Sequence, residues 1–99
     1  MTAKLVALAF ALAAAAAHAQ DNRVARSLAA SCASCHGTDG HSVTTEVVSL
    51  AGLPKEHIVT QLKAFRDGTR PATVMQQLAK GYSDAQIELL ADYFSRGQR

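Results

Sequence analysis

The sequence contains few of the residues that fill a large core or cross-link a small one. It has no tryptophan, two cysteines, two prolines and only five aromatic residues among 99 positions. Two cysteines exclude a framework of several disulfides, and the length allows one domain rather than two. The formal net charge is only +2, so the chain lacks the polybasic surface typical of proteins that bind nucleic acid.

The longest apolar run, residues 5–17, is too short to span a bilayer. It has 13 residues, eight of them alanine, whereas a transmembrane helix needs about 20. Lys4 precedes the run and Ala17-His18-Ala19 follows it, which is the layout of a secretory signal peptide. We therefore predict a cleaved leader over residues 1–19 and an exported, periplasmic domain over residues 20–99 without a membrane span. The alternative is a buried or membrane-anchoring helix.

Removal of the leader leaves a domain that needs help to fold. Residues 20–99 number 80, and the loss of Lys4 reduces the ten Lys and Arg to nine against eight Asp and Glu, a formal charge of +1. A hydrophobic core in a chain this short seldom supplies more than about 3–5 kcal/mol, so such domains usually depend on disulfides, a metal or a cofactor.

Hydrophobic periodicity predicts an all-α domain with three or four short helices joined by long loops. The predicted helices cover residues 21–33, 54–67, 73–80 and 83–96, and the predicted loop covers residues 32–49. Asp21 or Asn22 is expected to cap the first helix, and Pro54 to occupy the first position of the second, where its missing N–H costs nothing. Ser83 and Gln86 match a capping box at the start of the last helix.

Two apolar stripes at helical spacing mark the predicted core. The second predicted helix carries Ile58, Leu62 and Phe65, and the inner face of the last helix carries Ile87, Leu90, Tyr93 and Phe94. We expect both stripes to pack against the group that completes this small core.

Both cysteines lie in one motif, Cys32-Ala33-Ser34-Cys35-His36. C-x-x-C-H is the covalent attachment motif of c-type haem, in which each thiol forms a thioether to a haem vinyl group and the histidine binds the iron. A buried porphyrin would also enlarge the core, at roughly 25 cal/mol per Å² removed from water. We therefore predict one haem c, attached through Cys32 and Cys35, with His36 as an axial ligand.

Three other uses of the cysteine pair are open. A disulfide oxidoreductase places such a pair in a βαβ context, and this chain shows no strands of that kind. A structural disulfide between Cys32 and Cys35 would close a very small loop and contribute little. A zinc site requires four ligands, which Cys32, Cys35, His41 and His57 could supply only with an unfamiliar spacing.

Met75 is the predicted sixth ligand of the iron. It is the only methionine outside the predicted leader, and it lies 39 residues after His36. A thioether raises the reduction potential relative to two nitrogen ligands, as suits an electron carrier. The alternatives are that Met75 merely fills the core and that His41 or His57 binds the iron instead.

Two glycines and a carbonyl are expected to shape the loop after the motif. Gly37 is predicted to leave room for the porphyrin and to permit a tight turn, and Gly40 to close the same loop. The second ring nitrogen of His36 needs an acceptor, for which we expect a backbone carbonyl of residues 42–45.

This combination of features resembles the class I c-type cytochromes. The resemblance rests on Cys-Ala-Ser-Cys-His-Gly-Thr-Asp-Gly at residues 32–40, the distal methionine, and Leu-Ala-Asp-Tyr-Phe at residues 90–94. Residues 73–83 are also similar to the axial-methionine segment of the monohaem cytochrome subunit of flavocytochrome c sulfide dehydrogenase. The resemblance covers nearly the whole exported domain.

The resemblance implies helices wrapped around one covalently bound haem, with the N- and C-terminal helices crossing near Tyr93 or Phe94. It implies the same haem-binding residues as the motif analysis: Cys32, Cys35, His36 and Met75.

For function, the resemblance implies an electron-transfer protein that is not itself an enzyme. Its partner would be a flavoprotein dehydrogenase subunit, acting on sulfide, or another periplasmic redox protein; a free monohaem shuttle and a thiol–disulfide protein are the alternatives. The related subunits have Gly-Pro in the loop that supports the histidine; here Thr44-Thr45 or their neighbours occupy that place, and no proline precedes Pro54.

Overall fold

A computed structural model describes residues 2–97, and within them every regular element is helical. The α-helices are α1 (Thr2–Ala29), α2 (Ala33–His36), α3 (Lys55–Asp67), α4 (Val74–Ala79) and α5 (Asp84–Ser95). Two 3-10 turns, Ala30–Cys32 and Thr38–Gly40, flank α2. The predicted all-α architecture is confirmed. Met1 and Arg99, the outer limits of the predicted leader and domain, lie outside the described residues.

Helix α1 begins much earlier than the helix predicted from residue 21. It starts at Thr2 and continues to Ala29, so neither Asp21 nor Asn22 caps its start. The reason is the alanine-rich run before these residues, because alanine has the highest helix propensity and no glycine or proline interrupts the run. Helical conformation then continues to His36, so the Cys-x-x-Cys-His motif, which we predicted to open a loop, is helical instead.

The N-terminal part of α1 lies outside the core. Every residue from Thr2 to Val24 is exposed, including Leu5 at 67% and Phe10 at 74%. The helical stretch Thr2–His36 is long and apolar enough to cross a membrane, with a mean hydropathy of 1.6 over its most apolar window. Secretory leaders share this composition. Ala25 is the first buried residue, so the described core begins beyond the predicted cleavage site.

The core forms where α1 and α3 pack against α5. Small side chains of α1 meet a larger apolar face of α5, and the buried cluster consists of Ala25, Ala29, Ile58, Leu90, Ala91, Tyr93 and Phe94. The rings of Tyr93 and Phe94 meet edge to face, with centroids 5.3 Å apart. The predicted inner face of the last helix is confirmed, since Ile87 is also fully buried.

The helix ends follow the local sequence closely. Ser83 and Gln86 form the predicted capping box: the Gln86 N–H donates to Ser83 Oγ at 3.2 Å, and the Ser83 N–H donates to Gln86 Oε1 at 2.9 Å. Gly68 ends α3 in the left-handed conformation, with φ of 80°. Pro54 is the N-cap of α3 rather than its first helical residue, because its ψ of 136° is extended. Its carbonyl still accepts the first helical bond, from Ile58 N at 3.2 Å.

Candidate haem site

A cavity of about 520 Å³ opens beside the Cys-x-x-Cys-His motif. This volume lies within the range of about 300–1,000 Å³ typical of cofactor and ligand sites. Its walls are largely apolar and come from the motif, from α3 and from the α4–α5 region. The apolar stripes predicted from the sequence supply Ile58, Leu62, Phe65, Leu90 and Phe94 to these walls.

All four residues predicted to bind haem line this one cavity. Cys32, Cys35 and His36 reach it from the segment that joins α1 to the following loop, and Met75 reaches it from α4. His57, a rival ligand, also lines the cavity but is exposed, whereas His41 is not part of the wall. The fold thus brings Met75 to the motif across 39 residues of sequence.

The imidazole of His36 is oriented by a single backbone contact. Its Nδ1 lies 2.7 Å from the carbonyl oxygen of Val48. A carbonyl can only accept, so Nδ1 carries the proton and Nε2 keeps its lone pair free for a metal. The expected acceptor within residues 42–45 is therefore wrong. The chain continues past that segment before it returns, and Leu50 N and Ala51 N then bond to the Gly40 carbonyl at 2.8 and 3.1 Å.

The backbone conformation at position 37 requires glycine, independently of the porphyrin. Its φ of 86° and ψ of 165° fall in a region that is essentially restricted to glycine. A Cβ at this position would lie 1.9 Å from the His41 carbonyl oxygen. We predicted glycine here to leave room for the porphyrin and to permit a tight turn; the positive φ agrees with the turn, and the His41 carbonyl adds a steric reason within the loop itself.

Gly40 closes the loop against the core, as predicted. It is buried, with φ of 82°, and its carbonyl receives the two amides that end the loop. A Cβ there would lie 2.8 Å from the Phe94 ring and 2.9 Å from Ala51 N. The loop after the motif and the C-terminal helix are therefore in direct contact at this glycine.

A second link between that loop and α5 was not anticipated from the sequence. The Tyr93 hydroxyl donates to Asp39 Oδ1, and Asp39 adopts an unusual positive φ of 54°. Burial, and then the Asp39 carboxylate as acceptor and neighbouring charge, raise the pKa of Tyr93. Tyr93 therefore stays protonated at neutral pH and remains a donor. Aspartate tolerates the left-handed region better than most residues, which is the one sequence signal for this turn.

Cys32 is poorly suited to thiol–disulfide chemistry. Burial raises the pKa of its thiol, and the neighbouring Ser31 hydroxyl only partly offsets that effect. Redox-active cysteines instead have lowered pKa values, because the thiolate is the reactive form. The zinc alternative also fails, because within residues 2–97 no three His, Cys, Asp or Glu side chains come together at metal-binding distance.

One cation lines the cavity wall. Arg70 is the single lysine or arginine there among the described residues; its guanidinium lies 4.6 Å from the centre of the Phe65 ring, and its Nη1 donates to Gln61 Oε1. Haem brings an apolar macrocycle, carboxylates and an iron that needs axial ligands. The apolar walls, Arg70, the imidazole with its free Nε2 and the two thiols match those chemical requirements.

This chain belongs to the cytochrome c family, whose profile matches residues 22–97. More particularly, its helical fold and relatives are those of the class I c-type cytochromes, a class of electron carriers with covalently attached haem c, and Cys32 and Cys35 fit the C-x-x-C-H motif of that class. The predicted fold, family and cofactor are thereby confirmed.

Three relatives illustrate the resemblance. The "cytochrome subunit of sulfide dehydrogenase" of Chlorobaculum tepidum is 48% identical over 67 residues, covering 68% of this chain and 60% of that protein. The "thiosulfate dehydrogenase electron acceptor" of Thiomonas intermedia is 44% identical over 69 residues, covering 69% and 32%. A solved structure of cytochrome c4 from Acidithiobacillus ferrooxidans has a TM-score of 0.63 and 40% identity, covering 66% and 37%. The chain thus spans less than two thirds of the length of each of these proteins.

Proposed function

We propose that this chain transfers single electrons in the periplasm through one haem c, attached at Cys32 and Cys35 and ligated by His36 and Met75. The observation that supports it most is the shared cavity, into which the fold brings the motif, the imidazole with its free Nε2 and the only thioether outside Met1. The cofactor supplies the one-electron chemistry of its iron.

The chain's own residues would orient the cofactor and tune its potential. The Val48 carbonyl holds the His36 ring and makes the imidazole a stronger base, which favours the oxidised metal. The Met75 thioether and the apolar walls would raise the reduction potential, because they favour the less charged, reduced state of the iron. His36 and Met75 would both be bound to the iron and would leave no position for a substrate, so we propose electron transfer rather than catalysis at this haem.

We expect the oxidised protein to show a weak near-infrared thioether-to-iron absorption band, and Met75→Ala to abolish it. The reason is that the band requires a sulfur ligand, and no other thioether exists in the predicted exported domain. The matched control is His57→Ala, which removes the rival ligand from the same cavity and should leave the band unchanged. Survival of the band in Met75→Ala, or its absence from the wild-type protein, would refute Met75 as the ligand.

We propose that the electron donor is a flavoprotein dehydrogenase to which this chain binds as the cytochrome subunit, with sulfide as its substrate. Support comes from the 48% identical sulfide dehydrogenase cytochrome subunit and from the resemblance over residues 73–83. Apolar side chains beside the cavity, Val48 at 60%, Val74 at 58% and Leu78 at 42% exposure, offer a surface that a bound subunit would cover.

The partner proposal predicts that the native protein co-purifies with a flavin-containing chain. Sulfide should then reduce the haem in the complex at a rate that the isolated cytochrome does not reach. A cytochrome that purifies alone, and whose electron exchange slows strongly as salt is raised, would instead be the free shuttle.

We further propose that residues 1–19 are a leader removed on export. The exposed apolar stretch of α1 and the start of the core at Ala25 support this division. Mass spectrometry of the holoprotein from the native periplasm should give the mass of residues 20–99 plus one haem. A mass that includes residues 1–19 would indicate that these residues are retained as a membrane anchor.

A further inference from the structure

Tyr82 links three parts of the chain that surround the haem cavity. It lies between α4 and α5, lines the cavity, and packs against the buried cluster. Its hydroxyl and its carbonyl each have a partner in a different segment. The segment that carries Met75 ends at this tyrosine.

The hydroxyl of Tyr82 contacts the haem-attachment segment. It lies 2.9 Å from Ser31 Oγ and 3.5 Å from the Leu28 carbonyl oxygen. Ser31 Oγ itself donates to the Leu28 carbonyl at 3.3 Å. Because each hydroxyl has one proton, the two groups form a relay to the Leu28 carbonyl in which one hydroxyl donates to the other and the second donates to Leu28. Ser31 directly precedes Cys32, so the relay lies beside the first attachment cysteine.

The carbonyl of Tyr82 contacts α3. Arg66 Nη1 donates to it at 3.3 Å, while Arg66 Nη2 forms an ion pair with Asp84 at 2.7 Å. The Asp84 pKa is lowered chiefly by its hydrogen bond with Arg66, so the pair stays charged down to low pH. Arg66 thus holds the backbone of Tyr82 from one side, and the Ser31 relay holds its ring from the other.

Met75 and Tyr82 are joined by a short segment whose backbone is hydrogen-bonded. Met75 lies in α4, and after its last turn Gly81 N bonds to the Leu78 carbonyl at 3.1 Å and Tyr82 N to the Ala79 carbonyl at 3.2 Å. Ala79 is fully buried, so this end of α4 is packed against the core.

We propose that Tyr82 is a positioning residue, whose hydroxyl holds the Met75 segment against the haem-attachment segment and so makes Met75 harder to displace from the iron. The inference rests on the proposed ligation by Met75. The hydroxyl bonds to Ser31 and Leu28, and it acts on Met75 by restricting the motion of the segment that carries the ligand.

The test is displacement of Met75 by free imidazole in the oxidised holoprotein, followed by loss of the near-infrared band. Tyr82→Phe removes only the hydroxyl and should raise the apparent affinity for imidazole roughly two- to tenfold, the effect of one hydrogen bond of ordinary net strength. Ser31→Ala removes the other partner and should give the same increase, and the double variant should not exceed either single change by much.

Tyr93→Phe is the matched control. It also deletes a tyrosine hydroxyl that bonds across the fold, to Asp39, but on the loop after the motif rather than on the Met75 segment. Its imidazole affinity should match the wild type even if its stability falls. Equal increases in Tyr82→Phe and Tyr93→Phe, or no increase in Tyr82→Phe and Ser31→Ala, would overturn the proposal. Absence of the band from the wild type would instead contradict the ligation by Met75.

Discussion

Gly37→Ala is expected to destabilise the holoprotein by about 2–6 kcal/mol. Of this, about 1–3 kcal/mol arises from forcing a side chain into a backbone region that only glycine adopts freely. A further ~1–3 kcal/mol arises from steric overlap, because the new Cβ would lie 1.9 Å from the His41 carbonyl oxygen. The overlap involves backbone on both sides, so no side-chain rotation relieves it.

The effect of Gly37→Ala should extend to the haem ligand. Gly37 directly follows His36, and its carbonyl receives the Gly40 amide at 3.0 Å within the loop whose return brings the Val48 carbonyl to His36. A displaced loop would loosen that contact and change the reduction potential. Chemical unfolding, followed by circular dichroism, and a redox titration measure the two effects.

Gly52→Ala is the control that separates the cost of backbone strain from the cost of steric overlap in Gly37→Ala. Gly52 has a similar φ of 79°, but a Cβ there would have no neighbour within 4 Å. We expect a loss of about 1–2 kcal/mol, the cost of the left-handed region alone, and an unchanged reduction potential. Equal losses in both variants would show that the contact with the His41 carbonyl relaxes freely, contrary to our interpretation of Gly37.

Phe94→Ala is expected to cost about 3–5 kcal/mol, the usual loss when a buried phenylalanine leaves a cavity. Phe94 is 3% exposed, contacts Tyr93 edge to face, lines the haem cavity, and lies against the backbone at Gly40. One substitution therefore opens the core, the cavity wall and the loop contact together. Since small domains have a total stability at the low end of about 5–15 kcal/mol, the variant should be largely unfolded on mild heating.

Val43→Ala provides the comparison for Phe94→Ala. Val43 is 93% exposed, so its truncation should change the free energy of unfolding by less than about 0.5 kcal/mol. Thermal unfolding of both holoproteins, followed by circular dichroism, gives the difference. A loss in Phe94→Ala as small as that in Val43→Ala would mean that the cofactor, and not this side chain, organises the core.

Local sequence patterns predicted most of the helical framework. The capping box of Ser83 and Gln86, and Gly68 at the C-terminal end of α3, involve contacts between residues a few positions apart. Their geometry therefore follows from the local sequence. The start of α1 was missed because intrinsic helix propensity extends through the alanine run, past the polar residues that resemble a cap. Patterns of this kind locate helices better than they locate helix ends.

The haem-binding residues were predictable for a different reason. Cys32, Cys35 and His36 lie within five consecutive residues, and this spacing is the attachment motif of haem c, so the motif identifies the cofactor without the fold. Met75 could be selected by elimination, because the predicted exported domain has no other thioether. Its presence in the same cavity as the motif depends on the packing of α3, α4 and α5.

The sequence by itself thus determined the all-α class, the haem attachment motif and the candidate ligands, because each depends on residue type and short-range spacing. Only the tertiary structure decided that Val48 rather than a residue of 42–45 accepts from His36, that Gly37 faces the His41 carbonyl, and that Tyr82 meets Ser31. Those contacts depend on where a long loop and distant helices return in space. Loop conformation follows from packing and hydrogen bonding between distant segments, which no local pattern specifies.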